Sequence, residues 1–155
     1  MTDVETLDRA FAAIMSGFIK TGQAPHYVEL ANELGLTPEA GRVAIHDIFA
    51  AGVPGWVHPG TDYIASFPPF NNQPTQYRVS IDGQQRWFAQ CGFEALAVRW
   101  LFPGATVRVD APCLDCGDSY SVEMRDEALT VVEPSTLVGY SSSAVGGDAA
   151  TRPLR

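Results

Sequence analysis

The sequence predicts an α+β protein in which a helical N-terminal lobe precedes a small antiparallel sheet packed on a central helix. Three observations support this class: helical spacing of apolar residues in the first third of the chain, one strongly apolar segment in the middle, and three short alternating segments after it. We place the helical lobe at residues 1–62 and the α+β core at residues 63–141. Small and polar residues dominate 142–155, which we expect to be a disordered tail.

Two helices are predicted at the start of the lobe. Over residues 3–20 the apolar side chains fall on one stripe, and Gly22 and Pro25 then end the helix. A second helix is expected over residues 26–34, and Gly35 is its stop signal.

The third helix begins with a capping signal. Thr37 is expected to be the N-cap, with Pro38 at the first helical position. The helix runs to about Ala51, and Gly52 follows as a natural end. The second helix, short turn and third helix have the rhythm of a helix–turn–helix, so the lobe is expected to be winged-helix-like.

The charge of the chain argues against nucleic acid and membranes as partners. The chain carries 10 Lys and Arg against 18 Asp and Glu, a net charge of −8. Residues 1–51 contain three basic residues, Arg9, Lys20 and Arg42, against seven acidic ones. Since phosphate contacts dominate DNA affinity, a lobe that only packs is favoured over one that binds DNA as a regulator.

The N-terminal sequence, MTDVETLDRAF, is acidic where a signal peptide is basic. No segment approaches the roughly 18 to 20 apolar residues of a membrane span. We therefore expect a cytoplasmic protein. Its three cysteines, an odd number that excludes a full disulfide framework, are expected to be reduced thiols, metal ligands or reactive groups.

The core is predicted to begin after a connector. Residues 52–74 are rich in Gly, Pro and Asn, which is loop composition. Residues 76–81 alternate as a strand and lead into an Asp82-Gly83 turn. The apolar run from Arg86 to Phe102, RWFAQCGFEALAVRWLF, is predicted to be the central helix.

Three short strands are predicted after that helix. They cover Thr106 to Val109, Tyr120 to Arg125 and Leu129 to Glu133, and polar turns separate them. Short connections between successive strands favour an antiparallel meander.

Two groups of residues on this framework have chemical potential. Cys91 and Glu94 lie three residues apart, which places both side chains on one face of a helix. In such a pair the thiol can act as the nucleophile and the carboxyl group as the proton donor. The alternative is a small buried thiol beside a carboxylate that emerges at the surface.

The second group is the Cys113-Leu-Asp-Cys116-Gly turn. A CxxC turn suits zinc or another soft cation, but a structural zinc site needs four ligands. Beyond these two cysteines, only Cys91 and the histidines His26, His46 and His58 are available. The alternative is a turn whose cysteines pack under the sheet.

The segment from Gln76 to about Tyr140 resembles the alkylmercury lyases, the organomercurial-cleaving enzymes of bacterial mercury resistance. The stretch YRVSIDGQQRWFAQCGFEAL is similar to that family's strand, acidic turn and helix with its first active-site cysteine. Cys91 falls on that cysteine, and Glu94 falls on the family's catalytic aspartate.

Two further stretches extend the resemblance. LFPGATVRVDAPC is similar to the family's next strand and its cysteine, which corresponds to Cys113, and GDSYSVEMRDEALTVVEPSTLVGYS is similar to the following strands. The winged-helix-like lobe is also consistent with the family, so the expected fold is alkylmercury-lyase-like.

The resemblance implies catalytic roles for Cys91 and Glu94. Two thiolates would hold the mercury of R–Hg⁺ while the acidic residue delivers a proton to carbon. The implied substrate is a small molecule, and no resident cofactor is implied, because mercury is part of that substrate. The family's second essential cysteine lies further downstream, whereas no cysteine follows Cys116 here. The expected mercury ligands are therefore Cys91 with Cys113 or Cys116.

Two functions follow as hypotheses. The first is an organomercurial lyase that uses Cys91 and Glu94. The alternative is a non-lyase homologue whose cysteines bind a soft metal or metalloid, or react with another small molecule.

Overall fold

A computed structural model of the protein describes residues 2–140, and the tail predicted at 142–155 lies outside this range. The helices are α1 (Val4–Thr21), α2 (Tyr27–Leu34), α3 (Pro38–Ala50) and α4 (Gly92–Ala97), with a 3₁₀ turn at Val98–Leu101. The strands are β1 (Trp56–Val57), β2 (Ile64–Phe67), β3 (Phe70–Asn71), β4 (Arg78–Ile81), β5 (Gln84–Ala89), β6 (Thr106–Pro112), β7 (Ser119–Arg125) and β8 (Ala128–Glu133).

The three helices predicted for the lobe are confirmed, because each carries its own start or stop signal. The carboxylate of Asp3 accepts the Thr6 N–H and caps α1, which ends at Gly22 in the left-handed conformation (φ 81°). The Thr37 hydroxyl caps α3 as predicted. Within the described residues, no helix combines the length and hydropathy needed to cross a membrane.

The prediction of a loop over residues 52–74 is wrong, because this segment contains β1, β2 and β3. All four residues of β2 are buried, so this strand shows no alternation of apolar and polar residues. Strands this short, set among Gly and Pro, leave little local signal. Their identity depends on the neighbouring strands with which they pair.

The prediction of a helix over Arg86 to Phe102 is wrong for its first residues, which belong to β5. The Asp82-Gly83 turn is confirmed, with φ of 48° and 79°, and the hairpin it makes extends to Ala89 in β5. The helix α4 starts only at Gly92, and its continuation is a 3₁₀ turn. Cross-strand hydrogen bonds to β4 thus take precedence over the helical pattern of this apolar run.

Within residues 2–140 the sheet has eight strands in the order β1-β2-β3-β5-β4-β6-β7-β8, and every neighbouring pair is antiparallel. The predicted meander of the last three strands is confirmed, although the sheet is larger than expected. In β6, Val107, Val109 and Ala111 are buried and alternate with the partly exposed Arg108 and Asp110.

Aromatic residues join the helical lobe to the sheet. The rings of Phe18 and Phe70 stack with centroids 5.2 Å apart. The indole N–H of Trp87 donates to the Phe18 carbonyl oxygen over 2.7 Å. One hydrophobic cluster therefore includes residues of α1, α2, α3, α4 and the sheet. The division of the chain at residue 62 stays a prediction, as does the winged-helix character of the lobe.

Candidate active site

The end of the β4–β5 hairpin positions Cys91. Ala89, the last residue of β5, donates its N–H to the Tyr77 carbonyl over 3.1 Å. Gln90 is held by the Ser66 hydroxyl, which donates to its side-chain oxygen over 2.8 Å. Cys91 follows in an extended conformation as the N-cap of α4, and its side chain is exposed.

The structure brings Cys91 and Glu94 together, as the spacing predicted, but at the start of the helix instead of its middle. They occupy the N-cap and third helical positions, the same positions that a capping box uses. The Glu94 N–H donates to the Cys91 Sγ over 3.5 Å. Packing around the sulfur raises the pKa of Cys91; the Glu94 amide lowers it, and the carboxylate adds to the rise.

The Glu94 side chain is half-buried, and its Oε2 has no hydrogen-bond partner within the described part of the chain. Burial raises the pKa of Glu94, and hydrogen bonding to Cys91 offsets this only in part. Because the neutral form is favoured, the carboxyl group keeps its proton to a higher pH than an ordinary glutamate. It is thus suited to donate a proton beside the Cys91 sulfur.

Two tyrosines border the start of α4 on the sheet side. A Cβ placed on Gly92 would lie 3.5 Å from the Tyr77 ring and 3.8 Å from the Tyr120 hydroxyl. Burial, followed by the neighbouring Tyr77 and Cys113, raises the pKa of Tyr120. The Tyr120 side chain therefore borders Gly92, while its backbone pairs with Ala111, two residues before Cys113.

Phe93 stands on the solvent side of the same helix and is 52% exposed. The backbone of Gly139 packs against it, since a Cβ there would lie 3.3 Å from the ring. Sequence reasoning missed the two tyrosines and this contact. Strand alternation predicts that Tyr77 and Tyr120 face inward, but no local signal indicates that they border Cys91.

Cys113 and Cys116 lie on the hairpin loop between β6 and β7. Cys113 is partly buried and Cys116 is exposed, and both are free thiols. The amides of Cys116 and Asp115 and the Cys116 thiol lower the pKa of Cys113. The Asp118 amide lowers the pKa of Cys116, but the Cys113 sulfur, burial and the Asp118 carboxylate raise it overall.

Among residues 2–140, no group of three or more His, Cys, Asp or Glu side chains is arranged to hold a metal ion. Two of the histidines considered as zinc ligands have other roles: His26 caps α2, and the Nε2 of His46 lies 2.7 Å from the Asp62 carboxylate. The described residues thus offer one cysteine–glutamate pair at α4 and one cysteine pair at the β6–β7 hairpin.

Comparison with known proteins gives one family and one fold. The family model for MerB, alkylmercury lyase, matches residues 70–151, which include all three cysteines and Glu94. Among solved structures, the mercury-bound form of MerB2 is similar with a TM-score of 0.64 and 19% sequence identity. The match covers 86% of this chain and 62% of that one. No curated protein matches the sequence.

Proposed function

Because this chain belongs to the alkylmercury lyase family, which confirms the resemblance seen in its sequence, we propose that it cleaves carbon–mercury bonds at Cys91 and Glu94. The observation that carries the proposal is the meeting of a solvent-accessible thiol and a half-buried carboxyl group, whose pKa is raised by burial, at the start of α4. The reaction requires no resident cofactor, since the metal enters as part of the substrate. A reducing cytoplasm would keep the thiols ready to react.

The first step is capture of the organomercurial by Cys91. Thiolate is a soft ligand and therefore suits mercury. The Cys91 sulfur replaces a small external thiolate on R–Hg, and a new sulfur–mercury bond forms as the old one breaks. The thiol proton passes to the Glu94 carboxylate, whose raised pKa favours acceptance. Because the proton stays at the site, on Glu94, sulfur–mercury bond formation adds no negative charge to this half-buried position.

A second thiolate would load further electron density onto the metal and weaken its bond to carbon. We assign this role to Cys113, because it follows Ala111 by two residues, Ala111 pairs with Tyr120, and the Tyr120 hydroxyl borders the helix start at Gly92. Of the two hairpin cysteines, Cys113 is the one whose pKa is lowered, which favours its thiolate form.

Protonolysis completes the reaction. The Glu94 carboxyl group gives its proton to the carbon, the electron pair of the carbon–mercury bond forms the new C–H bond, and R–H leaves. Mercury stays behind as Hg²⁺ on two thiolates, and Glu94 is again a carboxylate. Glutamate places this carboxyl about 1.5 Å further from the backbone than aspartate would, a shift on the scale to which catalytic geometry is sensitive.

Release of benzene from a phenylmercury salt, in the presence of excess small thiol, tests the proposal. We expect Cys91→Ser to abolish the release and Glu94→Gln to lower it about 100-fold or more, the usual contribution of a general acid. Glu33→Gln, a matched change at an exposed site on α2, should keep the wild-type rate. Wild-type release no greater than that of Cys91→Ser would overturn the proposal.

The cysteine pair at the hairpin favours a second candidate function, the binding of a soft metal or metalloid without bond cleavage. Its thiols would hold the cation, and Glu94 would have no proton to deliver. Stoichiometric binding of phenylmercury with no benzene formed would support this candidate over the lyase.

A further inference from the structure

The β6–β7 hairpin loop is a closed turn with a fixed backbone. The ladder of the two strands reaches Pro112 and Ser119. Beyond it, the Cys113 N–H donates to the Asp118 carbonyl over 2.7 Å, and the Gly117 N–H donates to the Cys113 carbonyl over 3.0 Å. Gly117 has a φ of +80°, a conformation that favours glycine. These bonds define the shape of the loop.

This shape places two thiols on one turn. Cys113 and Cys116 are residues i and i+3 of the turn that the Gly117 hydrogen bond closes, and residues at that spacing share a face. Both thiols are free, and Cys116 is open to solvent. A cation can therefore reach both sulfurs from the same side.

The ligand set selects the kind of cation. In the part of the chain that the structure describes, no third His, Cys, Asp or Glu side chain joins the pair as a metal-binding group. Zinc sites need four ligands or three with an open position. Two thiolates alone suit a soft cation that accepts linear coordination, and Hg²⁺ is such a cation.

We propose that Cys113 and Cys116 form a chelating two-thiolate site for inorganic Hg²⁺, and that this site takes the product over from Cys91. The second part rests on the function proposed above. In the exchange, a small external thiol first displaces Cys91 from the mercury that Cys91 and Cys113 hold, and the Cys116 sulfur then displaces that small thiol, so the three cysteines never hold the metal together. Cys116 loses one proton and Cys91 regains one, so no oxidation or reduction occurs.

The hand-off would free Cys91 for the next substrate molecule. Two sulfurs on one short turn act at an effective concentration on the order of millimolar or more. A small monothiol must therefore compete against a chelate to remove the metal. Product would then leave from the exposed hairpin tip instead of blocking the start of α4.

The test uses Hg²⁺ alone as the probe and a background in which Cys91 is absent. Cys91→Ser protein is titrated with Hg²⁺ in excess 2-mercaptoethanol, and bound metal is followed by mercury–thiolate absorbance and native mass spectrometry. We expect one Hg²⁺ per chain. Adding Cys113→Ser or Cys116→Ser should weaken retention at least tenfold, in line with loss of chelation.

Leu114→Ser in the same background is the matched control, because Leu114 is 76% exposed on the same loop and carries no thiol. It should retain Hg²⁺ as Cys91→Ser does, and circular dichroism should show all variants folded. If Cys91→Ser retains Hg²⁺ equally well with and without the added Cys113→Ser or Cys116→Ser change, the chelating site is overturned. It is also overturned if folded Cys91→Ser fails to bind Hg²⁺.

The binding test does not depend on lyase activity, because Cys91→Ser has no thiol at α4 to capture an organomercurial. If Cys91→Ser retains Hg²⁺ but the wild-type protein releases no benzene, the chelating site is supported. Both the hand-off and the proposed lyase function are then overturned. Benzene release without retention by Cys91→Ser would support the lyase and overturn the chelating site.

Discussion

Glu94 is the residue at which stability and proposed chemistry conflict. Its half-buried carboxylate leaves Oε2 without a hydrogen-bond partner among the described residues. An unsatisfied buried polar group costs about 1–3 kcal/mol, and partial exposure puts this one near the lower end of that range. A folded protein can accept such a cost at a site where function requires a protonated acid.

We expect Glu94→Gln to raise the free energy of unfolding at neutral pH by about 1 kcal/mol, because the amide avoids a poorly solvated charge. The pKa of Glu94 is raised in the folded protein above its ordinary 4.5. Wild-type stability should therefore fall as pH rises from 4.5 through the folded pKa. Urea unfolding below pH 4.5 and at neutral pH measures the difference in the free energy of unfolding between Glu94→Gln and the wild type. This difference should shrink in acid. A difference independent of pH would contradict this explanation.

At the scale of elements, the α2–α3 crossing depends on a residue without a side chain. A Cβ on Gly41 would lie 2.7 Å from the Cβ of Ala31 and 2.7 Å from the Tyr27 carbonyl oxygen. Gly41 is therefore in α3 because the two helices approach too closely for any larger residue. Helix propensity alone would disfavour glycine at this position.

Two opposing terms decide the outcome of Gly41→Ala. Alanine gains about 1 kcal/mol of helix propensity, whereas overpacking costs about 1–3 kcal/mol. Since one of the contacts is a backbone oxygen that cannot rotate away, we expect a net loss of about 1 kcal/mol. Chemical denaturation measures it. Ala12→Gly, at an exposed site on α1, calibrates the propensity term, and a stabilised Gly41→Ala protein would show that the helices can move apart.

At the scale of the whole molecule, Trp87 connects the sheet to the helical lobe. Its indole donates to the Phe18 carbonyl, which also accepts the Gly22 N–H over 2.8 Å. Its ring packs edge-on against Phe102, with centroids 5.2 Å apart. Since one hydrophobic cluster runs from the lobe into the sheet, we expect the described part of the chain to unfold as one unit.

Trp87→Phe should lower the free energy of unfolding by about 1 kcal/mol, the value of one net hydrogen bond. The loss stays modest because the Phe18 carbonyl keeps the Gly22 donor. Far-ultraviolet circular dichroism and fluorescence should report one coincident transition. Trp100→Phe, at a site 70% exposed, should change stability by less than about 0.5 kcal/mol. Separate transitions for helix and tryptophan signals would contradict a single unit.

The sequence by itself determined the features that depend on neighbours along the chain. Caps and stops fixed the three helices of the lobe, and the Asp82-Gly83 turn fixed the first hairpin of the core. The three-residue spacing of Cys91 and Glu94 placed the thiol and carboxyl group together, and the order of motifs indicated the family. The caps, the turn and the Cys91–Glu94 spacing act within a few residues, and the order of motifs is read along the chain, so no tertiary contact is needed to detect them.

Only the tertiary structure decided which apolar segments are strands and what surrounds Cys91. Arg86 to Ala89 read as the start of a helix but lie in β5, which pairs with β4 and β3. The strands of the connector likewise form by pairing with partners that local periodicity does not reveal. The placement of Tyr77 and Tyr120 beside Gly92 has the same origin, because it depends on sheet register and on the packing of α4. Such contacts join residues distant in sequence, and their free energy comes from burial and pairing in the folded chain.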